Sequence, residues 1–305
     1  MIDRLRGIWG FAPTPFVDGR IDPRALAACV EHQARGGVDV LCACGAIAEV
    51  DSLSHDEWRA CAEIVLAHAG EIPTVVTIPT WADPGAAARE AGGLGADALL
   101  VLPRSAEPGE TKRVLASIAA AAPGLPLVLY HRPPLHLAVE DLEGLCEIET
   151  LAGLKDGHRD VRLYRRLREA VGNRLLWLSA WEDVALAFWA LGCDAFAPAS
   201  TAYAPAYAQA WLEHLEAGNV TEARHLLAAH AYPMVDLRLS RPGIDVTAVK
   251  AAMAEFGLPS GEARPPASPL STEERELVRS LVRTLDGLLE EPAVASPGGP
   301  GRDRP

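Results

Sequence analysis

The sequence predicts a (β/α)8 TIM barrel, and three observations predict it. Short apolar, β-rich runs alternate with longer helical patterns along most of the chain, as parallel βα units do. Eight such runs can be counted, at 8–12, 38–44, 74–78, 98–102, 125–130, 151–155, 175–179 and 194–198. The first turn lacks the glycine-rich phosphate loop that an open doubly wound sheet more commonly carries. At 305 residues the chain could form two ordinary domains or one large barrel, and the repeat decides for the barrel.

The elements follow in order. After the first run, Asp22-Pro23 supplies an N-cap and a proline at the first helical position. The second run closes at Gly45, and Ser54 with Glu57 forms a capping box for the next helix. Asp83-Pro84 repeats the cap-and-proline start after the third run. The fifth run ends at Tyr130 and the sixth, Leu151-Ala152-Gly153-Leu154, closes on Lys155 before Asp156-Gly157. Beyond the eighth run, a proline-rich connection over 264–269 leads to a second capping box, Ser271 with Glu274, and a helix to about 289. The expected division is a barrel over 1–235, a C-terminal helical extension over 236–290, and a disordered tail over 291–305 rich in Pro, Gly and Ala.

Composition narrows the function classes. With 49% hydrophobic residues and 7 Trp the chain can bury a large core, yet no uninterrupted apolar stretch reaches spanning length, which excludes a helical membrane protein. The first residues carry no apolar signal core, so a cytoplasmic location is expected. A formal charge of −13 argues against nucleic acid or an anionic membrane as partner. An anionic substrate would need a local site that attracts it. The 6 cysteines are scattered through apolar segments and read as core residues. Cys42 and Cys44 share a strand face by the period of two, but no second pair answers them, so packing is preferred to a metal site. Neither metal nor cofactor is expected.

Lys155 is one of 3 lysines, with Lys112 and Lys250, in a chain whose Lys+Arg total is 28. Arginine has taken the other basic positions, so a lysine at the end of a buried strand is not there merely for charge. Arginine stays protonated, whereas a desolvated amine can lose its proton and form an imine with a keto substrate. The alternative is a lysine snorkelling at a strand end. In a barrel, residues ending adjacent strands share one rim, which places Tyr130 beside Lys155. A phenol there can shuttle protons during carbinolamine formation; taken alone, it reads as packing with a satisfied hydroxyl.

Several motifs carry a family resemblance. Ala12-Pro13-Thr14-Pro15-Phe16-Val17-Asp18-Gly19, the loop from Gly45 to Glu49, Ser52-Leu53-Ser54, Tyr130 and Gly153-Leu154-Lys155-Asp156 together resemble the dihydrodipicolinate synthase and N-acetylneuraminate lyase superfamily of class I aldolases. Tyr130-His131-Arg132-Pro133, Lys155-Asp156-Gly157-His158, Pro233-Met234-Val235, Leu237-Arg238, Arg241-Pro242-Gly243 and Arg264-Pro265-Pro266 are similar to its 5-dehydro-4-deoxyglucarate dehydratase branch. The resemblance implies Lys155 as Schiff-base lysine, Tyr130 as proton-transfer residue, and the loop around Gly45, Ala46 and Ile47 as the keto-acid carboxylate site. It also implies a homotetramer or homodimer.

The chain departs from that pattern. Gly45-Ala46-Ile47-Ala48-Glu49 stands where the family usually shows Gly-Thr-Thr-Gly-Glu, and Pro103-Arg104-Ser105 stands where it places a second tyrosine. Backbone N–H groups can still hold a carboxylate. Ser179, Ser200 or Thr201, or a bound water, could replace the relay hydroxyls, or each of the three residues could cap a turn. Arg132, Arg104, His131 and His158 are candidates for a distal carboxylate, set against ordinary surface or packing roles. Glu49 and Asp51 read as an acid–base couple or as loop supports. Leu135 stands near the position of the arginine that marks dihydrodipicolinate synthases, which disfavours lysine biosynthesis. The expected activity is a Schiff-base lyase of a 2-keto acid, dehydrating and decarboxylating a keto-deoxy sugar acid. The alternatives are a pyruvate-dependent aldolase and a catalytically impaired barrel that binds a keto acid.

Overall fold

The computed structural model describes residues 2–290, so the tail expected over 291–305 lies outside the described residues. Eight parallel strands close into a barrel: β1 Gly7–Phe11, β2 Val40–Ala43, β3 Thr74–Ile78, β4 Ala98–Val101, β5 Leu127–His131, β6 Leu151–Asp156, β7 Leu176–Ser179 and β8 Ala195–Phe196. The sheet closes where Gly7 pairs with Ala195 and Ile8 with Phe196. Each of the anticipated runs supplies one strand. Their residues are buried almost throughout because the barrel interior covers one face and helices cover the other, which is why the runs read as continuous rather than alternating.

Side chains still alternate in direction. Trp9 and Phe11 stack inside the barrel at a centroid distance of 6.4 Å, whereas a Cβ on Gly10 would meet Gln33 and Val38 outside it. At the opposite end from the site, an aspartate ahead of a strand caps the neighbouring strand's N–H. Asp39 accepts from Ile8 and Asp97 from Thr74, each at 2.8 Å, and Asp194 accepts from Trp177 at 3.0 Å.

The outer ring is α1 Pro23–Arg35, α2 His55–His68, α3 Pro84–Leu94, α4 Pro108–Ala121, α5 Val139–Leu145, α6 Val161–Val171, α7 Ala185–Ala190 and α8 Pro205–Glu216. The helix-start signals work as read: Asp22 accepts from the N–H groups of Arg24 and Ala25, and Ser54 and Glu57 close a reciprocal box. After α8 come α9 Val220–Leu226, a π-helical turn, α10 Tyr232–Leu239, α11 Asp245–Glu255 and α12 Thr272–Glu290. Buried His230 ties this layer together. Its Nδ1 bonds Leu281 O at 2.9 Å, which leaves Nε2 to accept from the Tyr203 hydroxyl at 2.8 Å. Among the described residues no helix is long and apolar enough to cross a membrane.

One detail of the second strand overturns its sequence reading. Cys42 and Cys44 do not share a face, because the strand ends at Ala43 and Cys44 adopts φ 57°. Cys44 Sγ turns to Trp58 O, while Cys42 Sγ meets Thr77 Oγ1 at 3.5 Å.

Candidate active site

The rim chemistry starts with register. Tyr130 pairs with Lys155, and the next residues, His131 and Asp156, pair with each other. Alternation sends the first couple inward and the second outward. Lys155 Nζ lies 4.5 Å from the centroid of the Tyr130 ring and 4.0 Å from that of Phe11. The lysine is 5% exposed, and among the described residues its Nζ has neither a hydrogen-bond nor a carboxylate partner. Burial pushes its pKa down to about 7; Cys42 works against this shift and Arg132 with it. Burial pushes the Tyr130 phenol up to about 12, so it keeps its proton near neutrality, with Arg132 pulling it down.

The outward couple fixes the loops behind the site. Asp156 Oδ1 accepts from the N–H groups of His158 at 3.1 Å and Arg159 at 3.0 Å, turning the chain after β6. His131 Nε2 accepts from Leu137 N–H at 3.1 Å, which places its ring proton on Nδ1, 3.7 Å from Asp156 Oδ2. His131, His136 and His158 bring one nitrogen each within 4.8 Å of one another, the metal-like cluster of the described residues. Backbone groups already claim a nitrogen in two of these rings, since His158 Nε2 donates to Leu135 O at 2.8 Å. The cluster thus shapes a loop rather than presenting a convergent ligand set.

The loop after β2 sits over the same mouth. A Cβ on Gly45 would lie 2.3 Å from Phe11 Cδ1, so only glycine lets this backbone descend onto the ring. The N–H groups of Ala46 and Ile47 have no acceptor among the described residues. The loop is anchored from below: Thr14 Oγ1 donates to Ala48 O at 2.7 Å, and Glu49 takes Lys250 Nζ at 2.5 Å and Arg264 N–H at 2.7 Å. Lys250 also donates to Thr14 O at 2.7 Å and to Glu262 O. Glu49 is therefore a structural anchor, and Asp51 accepts from Thr80 Oγ1 at 2.9 Å, so the two do not form an acid–base couple.

The candidate cations differ in how free they are. Arg104 Nη2 is spent on Pro79 O at 3.0 Å and Ala82 O at 2.5 Å. His131 and His158 are held as described. Arg132 lies over the Tyr130 ring at 5.2 Å, approaches Asp51 at 3.8 Å without a hydrogen bond, and has a buried, unpaired Nε. Its guanidinium keeps donors available beside the amine.

Among the hydroxyls, Ser179 is used by its own turn, donating to Trp181 O at 3.0 Å and accepting from Trp181 N–H at 3.3 Å. Thr201 donates to Pro198 O at 2.7 Å. Ser200 Oγ is buried and, among the described residues, within no hydrogen-bond distance of a partner; it faces Glu182, whose Oε1 accepts from the Ser200 N–H at 3.2 Å.

The sequence reading missed four contributors. Phe11 is the last residue of β1 and Lys155 the last but one of β6, a strand-end position that could have drawn notice. Cys42 is a barrel-interior thiol electrostatically coupled to Lys155, and it was read as packing only. Lys250 lies on α11, far in sequence from the loop it holds. Buried Arg238 donates to Asp245 at 2.7 Å, faces Glu182 at 3.6 Å and lies 4.9 Å over the Trp181 ring. Burial opposes the Arg238 charge, but Asp245 and Glu182 outweigh it, while burial raises the Glu182 carboxyl. A cleft of about 240 Å³ lies beside the mouth rather than on Lys155, between Ala46 and Asp51 on one side and Gly243, Asp245 and Pro266 on the other.

Fold and site define a (β/α)8-barrel protein with a buried, partnerless amine set against a phenol at the strand ends. Residues 4–285 match the dihydrodipicolinate synthetase family. The chain belongs to this family. A Streptomyces avermitilis protein named probable 5-dehydro-4-deoxyglucarate dehydratase 2 is 35% identical over 301 residues, covering 93% of this chain and 90% of its own. A Bacillus subtilis protein named probable 5-dehydro-4-deoxyglucarate dehydratase is 29% identical, covering 91% of this chain and 93% of its own. Among solved structures, the sialic acid aldolase of Ruminococcus gnavus superposes with a TM-score of 0.86 at 20% identity, covering 94% of this chain and 99% of its own. That likeness concerns the fold.

Proposed function

We propose that the protein is a Schiff-base lyase that dehydrates and decarboxylates a keto-deoxy sugar acid of the 5-dehydro-4-deoxyglucarate type. The observation that carries this is the Lys155 amine: buried, free of any carboxylate among the described residues and held near pKa 7 beside Tyr130. Such an amine adds to the ketone carbon of a 2-keto acid. Uptake of one proton and loss of one water then give the iminium, which serves as electron sink. Loss of a proton from the neighbouring carbon, assisted by Tyr130, forms the enamine, and the hydroxyl one carbon further leaves as water. The unsaturated iminium can next accept the electron pair of the distal C–carboxylate bond, releasing carbon dioxide. Protonation of the resulting dienamine on carbon and tautomerisation of its enol to the aldehyde restore an iminium, whose hydrolysis frees Lys155 and a semialdehyde of the keto acid.

The other roles follow from donor availability. The N–H groups of Ala46 and Ile47, above Gly45, receive the carboxylate next to the ketone. Arg132 receives the distal carboxylate, and Ser200 supplies the unpaired hydroxyl nearest this rim's Glu182–Arg238 pair. Ser179 acts through the Trp181 turn that its hydroxyl closes. The family resemblance supports a cytoplasmic location and a homotetramer or homodimer; light scattering on the purified protein tests the assembly.

The deciding experiment is borohydride reduction with the keto sugar acid, then peptide mapping. The expected result is an adduct on Lys155; a folded sample that binds a keto acid yet traps none would replace this reading with a binding barrel. Carbon dioxide with a semialdehyde identifies the dehydratase, whereas pyruvate with an aldehyde identifies an aldolase.

A further inference from the structure

We infer that Phe11 is a catalytic residue: its ring face and that of Tyr130 together hold the positive charge of the Lys155 iminium. The inference rests on the Schiff-base reading above and deepens it. Converting a neutral amine and a ketone into an iminium takes up one proton and creates a cation, which is neutralised in the enamine and restored when the hydroxyl leaves. A buried cation of that kind is costly unless something of opposite sign faces it. Among the described residues no carboxylate contacts Lys155 Nζ, and the nearest rings lie 4.0 Å and 4.5 Å from it. Apart from the substrate's own carboxylate, the negative face of an aromatic ring is then the stabiliser that the protein sets against the nitrogen, and desolvation strengthens that attraction.

Phe11 is also held in place for this purpose. It is 4% exposed, stacks on Trp9 at 6.4 Å with 25° between planes, and has the Gly45 backbone against its edge. A ring so wedged cannot turn away when substrate enters. Gly45 also begins the turn to whose free N–H groups the proposed function assigns the substrate carboxylate, so Phe11 links that loop to the reacting nitrogen. A phenylalanine leaves the charge without a competing hydrogen bond or a basic atom, and the site can release its imine by hydrolysis. A carboxylate in its place would pair with the ammonium and hold Lys155 protonated.

The test replaces Phe11 by phenylalanines carrying one, two and three ring fluorines, which weaken the negative ring face with little change in shape, alongside Phe11→Leu. Two quantities are read: kcat with 5-dehydro-4-deoxyglucarate, and the rate of reductive trapping with pyruvate and cyanoborohydride. Both should fall stepwise with fluorine number, reaching about ten- to thirtyfold for the trifluoro and leucine forms, while KM changes less and Tm holds. Equal rates across the fluorine series, with Lys155 still trapped, would overturn the Phe11 role and leave the Schiff base standing. Failure to trap the wild type at Lys155 would remove both.

Discussion

Two buried lysines in this molecule have opposite fates, and the contrast shows what makes an amine reactive. Lys155 is 5% exposed and Lys250 is 3% exposed, and burial lowers the pKa of both. Lys250 meets the Glu49 carboxylate at 2.5 Å and donates to Thr14 O and Glu262 O, so each of its protons has a place to go. Lys155 meets two ring faces and, among the described residues, no anion. Burial alone therefore does not mark a nucleophile; burial without an acidic partner does. The first lysine is set up to lose its proton and the second to keep it.

The largest effect that tests this contrast is on turnover. Lys155→Arg keeps a cation of similar length but removes a nucleophile that can be neutral, and kcat should fall on the order of 10^4-fold with the fold intact. Tyr130→Phe should cost about 10^2-fold or more in kcat, since only the proton-carrying hydroxyl is lost. Undiminished turnover in Lys155→Arg would remove the mechanism altogether. The ratio kcat/KM should also climb with pH through about 7 as the amine of the free enzyme deprotonates.

Lys250→Met should act on stability instead. It leaves Glu49 buried with the Arg264 N–H as its remaining partner and frees the loop at 45–52, so unfolding free energy should drop by about 3–5 kcal/mol. Urea denaturation reads the loss, and KM should rise more than kcat falls because the carboxylate loop is loosened. A variant as stable as wild type would show that the buried pair contributes no net stability.

Lys155→Met gives a smaller effect of opposite sign. The native pKa of Lys155, about 7, lies below the ordinary lysine value of 10.5. The unfolded chain then binds more protons between these limits, so wild-type stability rises with pH across that window, and the burial penalty is fullest below pH 7. Removing the amine should stabilise the protein by about 2–4 kcal/mol at pH 6 and by progressively less toward pH 10. A pH-independent difference would contradict the depressed pKa.

The barrel and the Tyr130–Lys155 couple were legible in the sequence because both rest on local signals. Strand runs, helix caps and strand-end positions are written within a few residues of one another, and the parallel topology then brings strand ends together. The Lys250–Glu49 anchor spans 201 positions, and the Arg238–Glu182 pair joins α10 to the turn after β7. No local pattern encodes such contacts. Arg132 and Arg104 read alike as arginines after a strand, and only the carbonyls of Pro79 and Ala82 around Arg104 separate them. The Cys42–Cys44 reading failed on one left-handed residue, which no periodicity announces.

The third lysine completes the comparison with the smallest effect. Lys112 Nζ meets Glu147 at 2.6 Å, a geometry as close as that of Lys250 with its glutamate, but the two side chains are 43% and 72% exposed. Water and salt screen a pair in that position, and its attraction is offset by the entropy of holding two long side chains together. Lys112→Met should therefore leave turnover and Tm unchanged, in low salt and in high. A clear loss of Tm at low salt that vanishes in high salt would show that an ion pair in this protein stabilises by distance alone. The ordering of the three lysines by solvent access and partner would then have to be abandoned.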